Sequence, residues 1–396
     1  MSLAEGAPER RAPLAVLVDI TAPLWRALLT RRVADVVAAG TFALVLALVA
    51  VFAVWKPSPN WDAIPYAALV SAAPGDAATD IHAKGYATIR EVADAATYQA
   101  LTHGDGYRTR QAEDPRAFAS MLPMYAVKAG YIAAARALAP VIGVWGALTV
   151  LNLVGLALLG GVTLWWLWRS DALQAAPLAL LVAMLLDLRE LVAGATPALM
   201  AAGLVVLATL LLAKETRGAA IVAGVALIAA TTFRPDTLLF AFALLLAFAL
   251  AGRSLVRVGL VFIATLATYL MVTSGTGHIG WWAHFVFSNG GYQHTLEGFD
   301  PAFSPLLYAK AVARGGLMAL VHFDWPVLAL ALLGGWAMLK RISRTDGVTD
   351  TLLLALLLAV GGKFATFPLP DDRIYLGFAL AAALLLLARW KPRAIQ

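Results

Sequence analysis

Residues 218–251 read GAAIVAGVALIAATTFRPDTLLFAFALLLAFALA, two apolar runs separated by the short segment TTFRPD at residues 231–236. One α-helix needs about 20 apolar residues to cross the hydrocarbon core of a bilayer. Pro235 cannot continue a helix without the loss of a backbone hydrogen bond, so it favours a chain reversal between the runs. The stretch therefore predicts two antiparallel membrane helices joined by a turn that carries Arg234 and Asp236.

The composition of the whole chain is typical of a membrane protein. Of its 396 residues, 61% are hydrophobic and 14% are charged, against roughly 45–50% and 25% in soluble domains. The net charge of +6 does not indicate a nucleic-acid partner, because the basic residues gather at the ends of apolar runs, as cytoplasmic anchors do. The chain has no cysteine and therefore no disulfide or thiol chemistry.

We predict an all-α polytopic membrane protein of the inner (plasma) membrane, with about ten transmembrane helices and further helices at the outer membrane surface. Residues 1–32 are expected to form a cytoplasmic or interfacial N-terminal segment, and residues 33–396 a single membrane-embedded domain. The candidate spans are 33–55, 143–168, 174–190, 195–213, 218–234, 236–251, 255–273, 324–340, 350–367 and 373–390.

Basic residues mark one side of the membrane as cytoplasmic. They fall at alternate ends of the predicted spans, which matches the excess of Lys and Arg in cytoplasmic loops. These residues are Arg169, Lys214, Arg217, Arg253, Arg257, Lys340, Arg341, Arg344, Arg389, Lys391 and Arg393. The orientation places two long loops, about 56–142 and 274–323, on the periplasmic or extracellular side.

The first outer loop contains signals for several short helices. Asn60 is suited to cap a helix, and a second helix is expected over 79–102. Asp114 followed by Pro115 predicts the start of a third helix, which is expected to run toward Leu138.

Charged residues at the outer ends of the spans are the first candidates for a site. An ionisable group costs about 2.5–3.5 kcal/mol at the centre of a membrane helix, so their placement at span ends avoids most of that cost. The planar guanidinium of arginine is suited to phosphate recognition. We expect Arg189, Arg234 and Arg373 to converge on an anion such as a lipid phosphate. Taken alone, Arg234 and Asp236 fit equally well an ion pair that only closes their turn.

Asp62, in the segment SPNWDAIPY at 58–66, is the second candidate. It follows the first predicted span closely, and a carboxylate there could act as a general base toward an attacking hydroxyl. The alternative is an exposed loop carboxylate or an acid at a helix N-terminus, beside the interfacial anchors Trp61 and Tyr66. The histidines lack the spacing of a zinc site. No cofactor is expected; a divalent cation stays open as an alternative, although no motif supports one.

These motifs together resemble the integral-membrane glycosyltransferases of the GT-C superfamily. NWDAIPY (60–66) matches the start of that family's first outer loop, where an acidic residue is catalytic. MLPMYAVKAGYIAAARALAPVIG (121–143) resembles the juxtamembrane helix before the second span. FRPD (233–236) and PDDRIY (370–375) resemble corner motifs on the outer face.

The resemblance implies a polyprenyl-phosphate-linked sugar as donor, a lipid or glycan as acceptor, and inverting transfer on the periplasmic or extracellular face. It implies Asp62 as the catalytic base. The donor phosphate is expected to be bound by Arg234, Arg373, Arg189 and Lys363. Substrate contacts are expected from Tyr66, Asp236, Asp371, Asp372, Tyr292 and His294.

Other functional classes remain open at the level of the sequence. They are a lipid-linked sugar flippase or transporter, a polysaccharide polymerase or ligase, and a non-catalytic assembly subunit. Transporters often contain repeats and helices interrupted near the membrane midplane, whereas the charges here lie at outer span ends. An enzyme additionally requires Asp62 to lie near the arginines.

Overall fold

The computed structural model describes residues 31–390, and within that range the regular structure is entirely helical. Apart from its last two residues, the predicted N-terminal segment lies outside the described part of the chain. The α-helices, in chain order, are α1 Arg31–Trp55, α2 Ala63–Ser71, α3 Ala78–Val92, α4 Ala95–His103, α5 Gly106–Glu113, α6 Pro115–Met121, α7 Pro123–Ala126, α8 Ala129–Arg169, α9 Ala176–Leu185, α10 Leu188–Ala193, α11 Ala198–Leu212, α12 Arg217–Phe233, α13 Leu238–Leu250, α14 Val256–Ser274, α15 Trp281–Asn289, α16 Pro305–His322, α17 Trp325–Arg341, α18 Gly347–Thr366 and α19 Leu376–Trp390. Short 3₁₀-helices occur at Leu173–Ala175, Pro235–Thr237 and Asp372–Ile374.

Four of these helices, α1, α8, α14 and α18, are long and apolar enough to cross a membrane. The helices α16 and α17 pass the same test together, although they are bent by 80° at the break between them. Five apolar helices are shorter: Leu173–Leu185, Ala198–Leu212, Arg217–Phe233, Pro235–Leu250 and Leu376–Trp390. The described residues are thus compatible with an all-helical multi-pass membrane protein that has four or five full-length candidate spans.

Two predicted spans have different boundaries in the structure. The span expected over 174–190 is interrupted, because Asp187 adopts a left-handed backbone with φ 58° between α9 and α10. Asp tolerates this conformation better than most residues. The span expected over 143–168 is the second part of α8, which begins at Ala129 and is interrupted at Gly143, with φ 75°. The predicted juxtamembrane helix is therefore joined to the membrane helix at a glycine.

The outer loop confirms one predicted helix start and corrects three details. Asp114 caps α6 as predicted, since its carboxylate accepts from the backbone N–H groups of Arg116 and Ala117. That helix ends at Met121 and does not run toward Leu138. The helix expected over 79–102 is divided into α3 and α4, the second capped by Asp94. Asn60 does not cap α2, which begins after Asp62 without a side-chain cap.

Close helix crossings bring the outer loop onto the membrane helices. Gly130, near the start of α8, lies against the end of α12, where a Cβ atom on Gly130 would lie 2.2 Å from Thr232 Oγ1. In the outer loop, a Cβ atom on Gly85 in α3 would lie 2.7 Å from the Cβ of Ala68 in α2. The first contact holds the start of α8 against the end of α12, next to the turn that carries Arg234, and the second holds α3 against α2.

Candidate functional site

The turn between α12 and α13 forms an ion cluster with α18. Arg234 donates from Nε and Nη2 to the two carboxylate oxygens of Asp236, at 3.1 and 2.7 Å. Lys363, from α18, donates to the same carboxylate. The ion pair that closes the turn is therefore present, and it includes a second cation from a helix more than a hundred residues away along the chain.

Lys128, the residue before α8, adds a third cation next to this cluster. Burial lowers its pKa to about 8, and the positive charges of Arg234 and Lys363 act in the same direction, whereas Asp62 and Asp236 oppose the shift. Its ammonium group donates to the carbonyl of Met124 and lies 5.2 Å from the centre of the Tyr125 ring.

The sequence analysis missed Lys128 as a site residue. The available signal was that Lys128 is the only charged residue in the apolar stretch 121–135. Among residues 32–390, no carboxylate other than Asp236 lies within ion-pair distance of Lys128, Arg234 or Lys363, and Asp236 contacts only the last two. The cluster thus has an excess of positive charge.

Asp62 lies against an aromatic group beneath the outer loop. The hydroxyl of Tyr125 donates to Asp62 Oδ1 at 2.8 Å. The Tyr66 ring packs edge-on against Tyr125 with 5.3 Å between centroids, and Trp61 lies 6.4 Å from Tyr125. Burial, and next the charge of Asp62, raise the pKa values of Tyr66 and Tyr125 well above the usual range. Both phenols therefore stay protonated at neutral pH, and Tyr125 stays a donor.

Arg373, in the 3₁₀-helix before α19, forms the other side of the site. Its guanidinium lies 3.6 Å from Glu190 and 3.4 Å from Asp371, so neither contact is a short hydrogen bond. Burial alone would lower the pKa of Arg373, but the negative charges of Asp62, Asp371 and Glu190 raise it overall.

The phenol of Tyr66 lies within electrostatic range of both arginines, Arg234 in the ion cluster and Arg373 before α19. The charges of Arg234 and Arg373 both act to lower the pKa of Tyr66, against the larger effect of burial. Asp62 in turn acts on Arg373, on Lys128 and on Tyr66. Asp62, Arg234 and Arg373 therefore each lie within electrostatic range of one aromatic side chain, Tyr66, and Asp62 is also within range of Arg373.

Other predicted site residues lie further from this centre or have structural partners. Asp372 is 6% exposed and accepts from the backbone N–H groups of Asp324 and Trp325, so it caps α17. Arg189 is exposed, and within the described part of the chain it forms no ion pair. Tyr292 stacks on Tyr107 at 5.0 Å.

The loop that contains Tyr292 closes the outer side of the aromatic group. Tyr107 also packs against Trp61, with ring centroids 5.3 Å apart, which links Tyr292 to the neighbour of Asp62. His294 has an exposed side chain, and its carbonyl accepts from the Gln111 amide at 2.9 Å. His294 therefore positions this loop through its backbone.

Comparison with family models, curated proteins and solved structures returns no match. Any functional assignment therefore depends on the residues and geometry described above. The expectation that the site needs no cofactor stays a prediction.

Proposed function

We propose that the protein is a membrane glycosyltransferase of the GT-C type. It would move a sugar from a polyprenyl-phosphate-linked donor to an acceptor hydroxyl on the periplasmic or extracellular face, with inversion at the anomeric carbon. In this proposal the four long spans, the bent pair and the five shorter apolar helices make ten membrane crossings within one domain. Ten crossings leave both chain ends in the cytoplasm.

The observation that supports this proposal most directly is the excess of cations around Asp236. Arg234 and Lys363 contact this one carboxylate, and Lys128 lies beside them with no contacting carboxylate among the described residues, in a site that is largely shielded from water. A buried charge without a counter-ion costs several kcal/mol, so a bound anion would relieve this imbalance. A phosphate fits well, because its oxygens accept charged hydrogen bonds from lysine and arginine together.

The proposed reaction follows from the position of Asp62 beside these cations. The acceptor hydroxyl attacks the anomeric carbon, and Asp62 accepts the hydroxyl proton as the new C–O bond forms. The old glycosidic C–O bond breaks with its electron pair going to the phosphate. Lys128, Arg234, Lys363 and Arg373 stabilise the negative charge that develops there. Attack on the face opposite the leaving phosphate gives inversion.

The membrane setting fits a lipid-linked donor. Asp62 follows the end of α1 at Trp55 by a few residues, so its backbone is held close to the outer membrane surface. A polyprenyl phosphate keeps its phosphate in the headgroup layer because the hydrocarbon core excludes the charge. The anomeric carbon bonded to that phosphate would then lie at the same depth as Asp62.

The anion site is tested by binding of polyprenyl phosphate to the protein in nanodiscs. Loss of one charged hydrogen bond costs about 1.5–3 kcal/mol, so Lys128→Gln is expected to weaken binding about tenfold or more. Lys310→Gln, at an exposed lysine on α16, is the control and should bind as the wild type does. Equal affinity in wild type and Lys128→Gln would contradict the proposed anion site.

A flippase for the same lipid would also bind this anion, so binding alone does not separate the two functions. The distinction lies in bond cleavage. A transferase consumes the polyprenyl-phosphate sugar and releases free polyprenyl phosphate, whereas a flippase leaves the lipid-linked sugar intact. Mass spectrometry of the lipid after incubation with purified protein and acceptor measures this difference directly.

A further inference from the structure

We propose that the cavity between the end of α14 and the start of α15 binds a neutral carbohydrate. Its role as the acceptor in transfer rests on the proposed function, whereas carbohydrate binding itself does not. The cavity is a wide-open one, with several exposed residues in its lining, and has a volume of about 440 Å³. It is lined by Tyr269, Leu270, Met271, Thr273, Ser274, His278, Gly280 and Trp281.

The lining of this cavity carries no acidic residue, no lysine and no arginine. Its one imidazole, that of His278, has a pKa that burial lowers, with a further contribution from the charge of Lys128. The ring is therefore neutral at physiological pH. A lipid phosphate or another anion finds no partner of opposite charge in this cavity, which distinguishes it from the cluster around Asp236.

The polar groups of the cavity are suited to a polyhydroxyl ligand. Tyr269, Thr273 and Ser274 present hydroxyl groups. His278 is held in place beside them, because its Nδ1 accepts from the backbone N–H of Gly280 and its Nε2 lies next to His284. Thr273 donates its own proton to the carbonyl of Tyr269, so the lone pairs of its oxygen remain for a ligand donor. Such a set of neutral donors and acceptors matches the hydroxyl groups of a sugar.

Trp281 supplies a fixed aromatic surface on one wall. Its indole N–H donates to the carbonyl of Thr366 at 2.8 Å, and its ring packs against Trp282 and Phe285. The residue nevertheless remains 45% exposed. The negatively polarised face of an aromatic ring attracts the positively polarised C–H groups on the apolar face of a sugar. Because the ring is already held, little conformational entropy is lost on binding.

The cavity adjoins the charged site through a short chain of contacts. His278 Nε2 lies 3.3 Å from His284 Nδ1, and the His284 ring lies 4.9 Å from Phe367. Lys363 Nζ lies 5.9 Å from the centre of the Phe367 ring. His284 and Phe367 therefore separate the cavity from Lys363. A carbohydrate in the cavity would lie next to the anion cluster without sharing its contacts.

Saturation-transfer NMR with the protein in nanodiscs tests this site, with a panel of neutral methyl glycosides as probes. We expect at least one glycoside to bind at millimolar concentration. Trp281→Ala removes the aromatic wall and should weaken binding about tenfold. Ser274→Trp fills the cavity from an exposed position and should abolish binding. Trp55→Ala, at a tryptophan that is 78% exposed at the end of α1, is the control and should not change it.

Two outcomes overturn the proposal: no glycoside binds the wild type, or binding survives both Trp281→Ala and Ser274→Trp. Lys128→Gln separates this inference from the proposed function, because it should reduce polyprenyl phosphate binding and leave glycoside binding intact. If Lys128→Gln leaves phosphate binding unchanged while Trp281→Ala weakens glycoside binding and Ser274→Trp abolishes it, the carbohydrate site stands and the phosphate assignment fails.

Discussion

At the scale of single residues, the corner FRPD (233–236) forms an ion pair, and we propose anion binding as its second role; the sequence alone did not separate the two. Arg234 and Asp236 do form the pair that closes the turn. The carboxylate of Asp236 also accepts a hydrogen bond from Lys363 of α18. This contact joins distant parts of the chain, so no local sequence pattern predicts it. The anion-binding role then depends on the charge that remains after this pairing, to which Lys128 contributes.

Substitution of Asp236 should show how much the carboxylate that contacts Arg234 and Lys363 contributes to the stability of the protein. Asp236→Asn leaves Arg234 and Lys363, whose side chains are 22% and 11% exposed, without a counter-charge. Breaking a partly buried pair costs more than breaking an exposed one, up to about 3–5 kcal/mol where burial is complete. We expect a clear fall in the Tm of the purified protein. Glu215→Gln, which breaks the exposed pair with Arg253, should change the Tm little. Similar Tm values for the two variants would argue against a buried cluster.

The depressed pKa of Lys128 predicts a pH dependence for anion binding. The Lys128 pKa in the folded protein is about 8, below its usual value, so the ammonium charge is present below pH 8 and is lost as the pH rises through that value. Polyprenyl phosphate affinity should therefore decrease between pH 7.5 and 9. Lys128→Arg keeps its charge over that range and should remove the decrease. If the affinity for polyprenyl phosphate falls equally in the wild type and in Lys128→Arg, the group that loses its proton in this pH range is not Lys128.

At the scale of elements, the sequence predicts the apolar helices well and their interruptions poorly. The ends of α12, α14 and α17 agree with the predicted spans to within two residues, because apolar length alone determines them. The interruptions at Asp187 and Gly143 follow from backbone conformations with positive φ, 58° and 75°. The periodicity of apolar residues contains little information about such single-residue conformations.

The crossing of α8 and α12 at Gly130 should be sensitive to a single methyl group. In Gly130→Ala the new Cβ atom would lie 2.2 Å from Thr232 Oγ1 and 2.8 Å from its Cβ, so the two helices must separate. Overpacking of this kind costs about 1–3 kcal/mol. We expect a lower Tm together with weaker polyprenyl phosphate binding, because Lys128 precedes α8 directly.

Gly161→Ala provides the matched control on the same helix. A Cβ atom at Gly161 meets no atom within 4 Å, and alanine favours a helix over glycine by about 1 kcal/mol. This variant should be as stable as the wild type or more stable. If Gly130→Ala and Gly161→Ala behave alike, the close crossing does not position Lys128.

At the scale of the whole molecule, the candidate site could be predicted from sequence only in part. Asp62, Arg234 and Arg373 stand out because charged residues beside apolar runs are unusual. Their common neighbour Tyr66 and the participation of Lys128 emerge only from the packing of the outer loop on α12. The helix-capping contacts of Asp372 are likewise tertiary and explain why a predicted substrate contact has a structural partner.

The proposed topology follows from the basic residues at alternate ends of the predicted spans. Cysteine labelling can test it without background labelling, since the chain contains no cysteine. Gln99→Cys, at an exposed position of α4, should react with a membrane-impermeant maleimide added outside the cells. Ile342→Cys, which is 53% exposed in wild type between α17 and α18, should react only after permeabilisation. The opposite pattern would place the Asp62 site on the cytoplasmic side.

The central claim is that Asp62 is the base of a transfer reaction on a lipid-linked sugar. Asp62→Asn keeps the oxygen that accepts from Tyr125 and removes the basic carboxylate. Folding and donor affinity should therefore stay near those of the wild type. Asp80→Asn, at an exposed carboxylate in the same outer loop, is the control.

The decisive measurement is single-turnover transfer from the polyprenyl-phosphate sugar, normalised to folded protein by thermal unfolding of the same samples. A positioned general base contributes about a hundredfold or more to the rate, so Asp62→Asn should lose about that factor while Asp80→Asn keeps full activity. Unchanged transfer per folded molecule of Asp62→Asn would contradict the account.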